Sequence, residues 1–135
     1  MSGKVFLDTN VLLYTLGQHD ARTPVAEALV QASDVISVQV LNELAAVAHR
    51  KLKMSWQEVT EALGAIRTLC PSVVPITAET HDAALSLAAR HGFHIYDGLI
   101  VAASLEAGCG TLYSEDMRSG QVVDGRLTIR NPFVA

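Results

Sequence analysis

The sequence predicts an α/β domain built on a mainly parallel sheet, and three observations carry that prediction. Short β-branched or aromatic runs alternate with longer segments of helical periodicity, the pattern of successive strand–helix–strand units. The helical segments carry recognisable starts and stops. A chain of 135 residues suits one ordinary domain, 1–135, able to bury roughly two thirds of the surface its unfolded form exposes.

Val5–Leu7 reads as the first strand and stops at Asp8. Thr23-Pro24 supplies a cap and first position for the helix that follows, and Val35–Ser37 is the second strand. A helical pattern begins near Val38 and carries Glu43 on a mostly apolar face of Gln39, Val40, Ala46 and Val47, so Glu43 is expected to be partly buried. Ser55-Trp56-Gln57-Glu58 is a capping box opening another helix, which Pro71 stops before a strand at Val73–Ile76. Gly92 closes the helix through Ala83, Leu87 and Ala88, and Gly108 closes the one from Leu99 through Leu105. Thr111–Ser114 and Leu127–Ile129 are the remaining strands, Arg118-Ser119-Gly120 is a loop between them, and Asn131-Pro132-Phe133 is an extended end. There is no internal repeat, low-complexity tract or linker.

Composition narrows the function classes. Formal net charge is -4 with a pI of about 5.6, so the chain lacks the broad basic field that drives unspecific nucleic-acid binding. A polyanionic substrate would need a local basic patch or a metal. Cys70 and Cys109 have neither metal-ligand spacing nor the density of a disulfide scaffold, which fits reduced thiols in a cytosol. The start Met1-Ser2-Gly3-Lys4 leads into three apolar residues, too short for a signal-peptide core. The oily stretch Leu99 to Leu105 is far below the run of about 20 residues that spans a bilayer. A soluble, cytoplasmic protein with no membrane association is expected.

Charged residues make up only 18%, below the roughly 25% of an average globular chain, so a charge on an apolar segment needs a reason. Asp8 follows Val5-Phe6-Leu7 and precedes Val11-Leu12-Leu13, where an ionised carboxylate is costly unless paired. Glu43, Asp97 and Asp116 each lie on an apolar helix or beyond a strand end. In an open α/β sheet, carboxylates beyond strand ends gather in the crevice where ligands bind. Each acid also has a structural explanation: Asp97 as the N-cap of the helix starting at Gly98, Glu43 paired with Arg50 or Arg90, Asp8 in an Asx-turn with Asn10, and Asp116 as a loop acid. Taken together, four such acids point to a shared cation, and oxygen-only ligands select Mg²⁺ or Mn²⁺ over zinc. His91 and His94 read as structural rather than as a metal pair, and His49 as part of a solvated helix end.

On these residues the chain resembles the PIN-domain nucleases, specifically the VapC toxins of toxin-antitoxin pairs. The resemblance rests on Phe6-Leu7-Asp8-Thr9-Asn10, Ser37 to Leu44, Ile95 to Ala103 and Leu112 to Met117, four strings in order, each with its acid. The ending Ile129-Arg130-Asn131-Pro132-Phe133 is similar as well. The resemblance implies a three-layer α/β/α sandwich with a central parallel sheet, a homodimer, an antitoxin partner whose C-terminal segment blocks the site, and an RNA-cleaving Mg²⁺ or Mn²⁺ centre. By position it makes Asp8, Glu43, Asp97 and Asp116 the catalytic and metal-binding acids. Physical reasoning then casts Asp8 and Asp97 as direct ligands, Glu43 and Asp116 as holders of water or a second ion, and Thr9, Asn10 and Ser114 as orienting groups.

Arg50, Lys51 and Lys53 at the end of the Glu43 helix, and Arg118 just after Asp116, are candidate phosphate contacts, although cations at a helix C-terminus also satisfy its dipole. Two other readings compete. A haloacid-dehalogenase-type phosphatase would use Asp8 as nucleophile, but needs an acid/base where Asn10 stands; a non-catalytic metal-binding module would only hold a partner.

Overall fold

A computed structural model describes residues 3–17, 19–33 and 35–134. Met1 and Ser2, half of the start judged too short for a signal sequence, lie outside these residues. The described elements are β1 (Val5–Leu7), α1 (Thr9–Leu13), α2 (Thr23–Ala32), β2 (Val35–Ser37), α3 (Val38–Arg50), α4 (Trp56–Leu69), β3 (Ser72–Val74), α5 (Ala78–His91), α6 (Ile95–Glu106), β4 (Thr111–Tyr113), β5 (Val122–Val123) and β6 (Leu127–Arg130).

The strands form one sheet in the order β3-β2-β1-β4-β6-β5. All neighbours are parallel except the β5–β6 pair. From β1 the chain steps outward twice, to β2 and then β3, and afterwards returns to lay β4 on the other side of β1. Right-handed crossovers therefore put α1–α4 on one face and α5–α6 on the other, giving the three layers. The reversal between β1 and β4 is the switch point, where the loops beyond two adjacent strands diverge and open a crevice.

Phe6, Leu7, Ile36, Leu112, Leu127 and Ile129 are fully buried in the sheet. Each such side chain contributes about 1.5–3 kcal/mol by leaving water. Strands covered on both faces explain why these runs are apolar without alternation. The sheet thus fixes β1 and β4 rigidly beneath the residues that follow them.

Several boundaries differ from the sequence expectation for physical reasons. Strand β3 ends at Val74 rather than Ile76, because Pro75 has no N–H for the ladder. Strand β4 ends at Tyr113, and Ser114 turns its hydroxyl towards Asp8 instead. Helix α2 has Arg22 at the cap position and Thr23-Pro24 inside its first turn, so it starts one residue earlier than expected. Strand β5 was not anticipated; it joins β6 through Asp124 (φ 53°) and Gly125 (φ 66°), the paired left-handed conformation of a tight hairpin turn. The Ser55–Glu58 capping box and the left-handed Gly92 terminus form as expected.

Candidate active site

Asp8 leaves β1 at the switch point and becomes the N-cap of α1, its Oδ1 accepting the Thr9 backbone N–H at 2.7 Å. Its other oxygen accepts the Ser114 hydroxyl at 2.8 Å, from the residue that follows β4. The residue is 3% exposed. Burial pushes its carboxyl up to about 7, reinforced by the charges of Asp97 and Glu43 and opposed by the Ser114 and Thr9 hydrogen bonds. The capping bond runs to Thr9 rather than to the backbone of Asn10, so the simple Asx-turn explanation does not hold.

Glu43 lies on α3, half-buried. One oxygen accepts the Thr9 hydroxyl at 2.9 Å and the other the Gln39 amide at 2.8 Å, one turn back on the same helix. The expected pairing with Arg50 or Arg90 is not formed: Arg90 binds Asp124 at 3.1 Å, and Glu43 takes part in none of the three ion pairs among the described residues.

Asp97 is likewise not the helix cap. Helix α6 starts at Ile95, two residues before the acid, and His94 caps it through Nδ1, which accepts the Tyr96 N–H at 3.2 Å. Asp97 falls in the first helical turn, half-buried, and its carboxyl is raised by burial and by Glu43 and Asp116, with His94 acting in the opposite direction. Its position is favoured by the helix dipole but opposed by the neighbouring carboxylates.

Asp116 is exposed, and it is tethered. Asn10 Nδ2 donates to it at 3.1 Å while Asn10 Oδ1 accepts the Glu115 N–H at 3.0 Å, so one amide ties α1 to the loop after β4.

These residues meet in one open cleft. Asp8, Thr9, Asn10, Glu43, Asp97 and Asp116 all line it, and Arg50 and Lys51 form part of its wall. Ser114 is buried beneath, in contact through Asp8. Arg118, by contrast, is exposed and outside the lining, as is Lys53. None of the three ion pairs neutralises a cleft acid. The donor set is all oxygen and anionic, which suits a hard divalent cation, although among the described residues no three acidic, His or Cys side chains already close into a metal cage.

Gln39 was not anticipated as the holder of Glu43, although its i, i+4 spacing was visible in the sequence. The histidines stay outside the acidic set. His49 is half-buried at the exposed end of α3, where its ring stacks on Trp56 at 3.8 Å and its Nδ1 contacts the Met54 carbonyl at 2.9 Å.

The PIN domain family model matches residues 5–123. No curated protein matches in sequence. Among solved structures, the chain is similar to Mycobacterium tuberculosis VapC20, a sarcin-ricin-loop-cleaving toxin, at 23% identity over 84% of this chain and 90% of that one (TM-score 0.68). It is similar to a Klebsiella pneumoniae toxin-antitoxin complex at 15% identity over 96% and 98% (TM-score 0.71). Neisseria gonorrhoeae FitAcB aligns at 21% identity over 96% and 98% (TM-score 0.66). At these identities the likeness is one of fold.

Proposed function

The chain belongs to the PIN domain family, and from that premise we propose that it is a Mg²⁺- or Mn²⁺-dependent endoribonuclease, the toxin of a toxin-antitoxin pair. The observation that carries this reading is the convergence of Asp8, Glu43, Asp97 and Asp116 from four separate segments on one cleft at the switch point. Asp8 and Asp97 would hold the ion, with Glu43 and Asp116 completing its surroundings. A divalent cation there supplies positive charge for the phosphodiester and for the leaving oxygen, and makes water a better nucleophile near neutral pH.

The remaining chemistry belongs to the chain itself. Glu43, fixed at both oxygens by Thr9 and Gln39, is oriented to hold water and receive its proton. Asp8 accepts from Ser114 and Thr9, which fixes the direction of its free lone pairs. Arg50 and Lys51 on the cleft wall are placed to bind phosphates flanking the scissile bond. The phosphatase alternative requires an acid/base at position 10, whereas the Asn10 amide is committed to Asp116 and to the Glu115 backbone.

The antitoxin partner follows from similarity to complexes named as toxin-antitoxin assemblies, and a homodimer is proposed with it. A cytoplasmic location is also proposed; no helix among the described residues is long and apolar enough to cross a membrane. The deciding experiment incubates clean protein with RNA and Mg²⁺ or Mn²⁺. Metal-dependent cleavage leaving 5′-phosphate and 3′-hydroxyl ends, lost in Asp97→Asn, is expected. Equal behaviour of Asp97→Asn and wild type, with no cleavage, would leave only a binding module.

A further inference from the structure

A second cavity, of about 480 Å³ and with a mixed lining that includes Leu105, Cys109 and Val122 beside its polar residues, shares no residue with the acidic cleft. Strand β6 and the residue before it read Arg126-Leu127-Thr128-Ile129-Arg130. Leu127 and Ile129 are fully buried, so the strand's period of two turns Arg126, Thr128 and Arg130 to the other face. All three line the cavity. Thr111 faces Thr128 across the β4–β6 ladder and lines it as well. No carboxylate is in the lining, and neither arginine is among the three ion pairs of the described residues.

A solvated strand face would explain scattered polar residues, but not two guanidiniums, neither held in an ion pair, lining one concavity of a chain with net charge -4; on its other side Arg126 also borders Asp124 and Glu106. The trough also connects to the acidic cleft through the backbone. Ser114 donates its N–H to the Arg130 carbonyl at 2.9 Å, and its hydroxyl holds Asp8. Arg130 therefore stands one strand away from the proposed reaction centre, and at the usual strand rise the Arg126 Cα is about 13 Å further on.

We propose that the Arg126–Thr128–Arg130 trough binds the phosphate backbone of single-stranded RNA beyond the cleavage cleft, extending the substrate track by at least two phosphates. The inference rests on the RNA-directed reading above. Guanidiniums fork onto phosphate oxygens, and the threonine hydroxyls donate between them. The contact is to backbone alone, so it adds affinity and register without choosing a sequence.

The test is the double variant Arg126→Gln/Arg130→Gln, with fluorescence anisotropy of labelled RNA measured in chelator over a range of salt. One strand has about 16 nucleotides and one is a dinucleotide, whose single phosphodiester cannot occupy the cleft and the trough at once. Both arginines are exposed, so the variant should melt with the wild type. For the long strand, the salt slope of log affinity should become shallower by about 1.4, two contacts at about 0.7 each, or roughly sevenfold less affinity lost over a fourfold salt rise. Binding of the short strand should not change. An unaltered slope on the long strand overturns the proposal. So does tight binding of inorganic phosphate that the variant abolishes while its RNA slope stays that of wild type, which would mark a small-anion pocket. A shallower slope in a protein that cleaves no RNA would keep the trough and sink the nuclease; cleavage with an unaltered slope would do the reverse.

Discussion

Asp8→Asn should stabilise the metal-free protein at alkaline pH while destroying its activity. A carboxyl raised from 3.8 to about 7 makes the ionised form costlier in the folded chain by about 4 kcal/mol, at 1.36 kcal/mol per tenfold. The sign follows from proton counts. Between these two values the folded chain keeps a proton on Asp8 that the unfolded chain has released, so stability is whole below pH 3.8 and is lost as pH rises to about 7. Asparagine removes that loss at the expense of part of the hydrogen bonding. Its single carbonyl can accept from Thr9, while its amide must donate to Ser114, whose hydroxyl already accepts the Met117 N–H at 3.3 Å. Subtracting about 1–2 kcal/mol for that rearrangement leaves a gain of about 2 kcal/mol, or about 5–8 °C in Tm for a domain of this size. Thermal unfolding in chelator at about pH 8 and about pH 5 reads it: the variant should melt higher at the first and level with, or below, wild type at the second. A wild-type Tm flat across that interval, with Asp8→Asn melting no higher at either end, refutes the buried-charge reasoning.

Gln39→Leu should leave the melting temperature within a few degrees but cut RNA cleavage about 10–100-fold, because Glu43 loses the donor that fixes one of its oxygens; a rate assay at saturating metal checks it. Ser55→Ala should cost about 1 kcal/mol by removing one half of the α4 capping box, measured as a lower urea midpoint with unchanged slope. A Cβ at Gly98 would sit 2.8 Å from the Ala84 carbonyl oxygen, so Gly98→Ala should destabilise by about 1–3 kcal/mol in a thermal melt. Added Mg²⁺ should raise the wild-type Tm, by mass action worth about 2.7 kcal/mol at a hundredfold excess over Kd, and the rise should vanish in Asp8→Asn.

The sheet was legible because its strands are short apolar runs ended by turn residues, and parallel strands buried on both faces have little other way to look. What escaped was set by partners distant in sequence or by elements too short for periodicity. Two residues of β5 carry no period, yet Asp124-Gly125 already marked the hairpin that creates it. The start of α6 was placed too late because Asp97 is a familiar cap residue, whereas the cap is His94, whose ring nitrogen plays the same part. All four acids stood out as charges in an apolar chain. Their hydrogen-bond partners were less visible: Ser114 reaches Asp8 across 106 positions of sequence, a pairing that only the β1–β4 register brings about.

That register explains how four repelling carboxylates can be held near one another before any cation arrives. The groups that bind Asp8, Glu43 and Asp116 are neutral: the Thr9 N–H and hydroxyl, the Ser114 hydroxyl, and the Gln39 and Asn10 amides. A lysine or arginine in any of those places would orient a carboxylate more strongly, but it would also cancel the charge that a divalent ion requires. Each neutral bond contributes only about 0.5–1.5 kcal/mol, less than the penalty of burying Asp8 ionised, so the cleft stays electrostatically unsatisfied while its geometry is fixed. A cation bound there as proposed would recover that penalty, so any metal affinity and the alkaline weakness of the metal-free fold should arise from the same carboxylates.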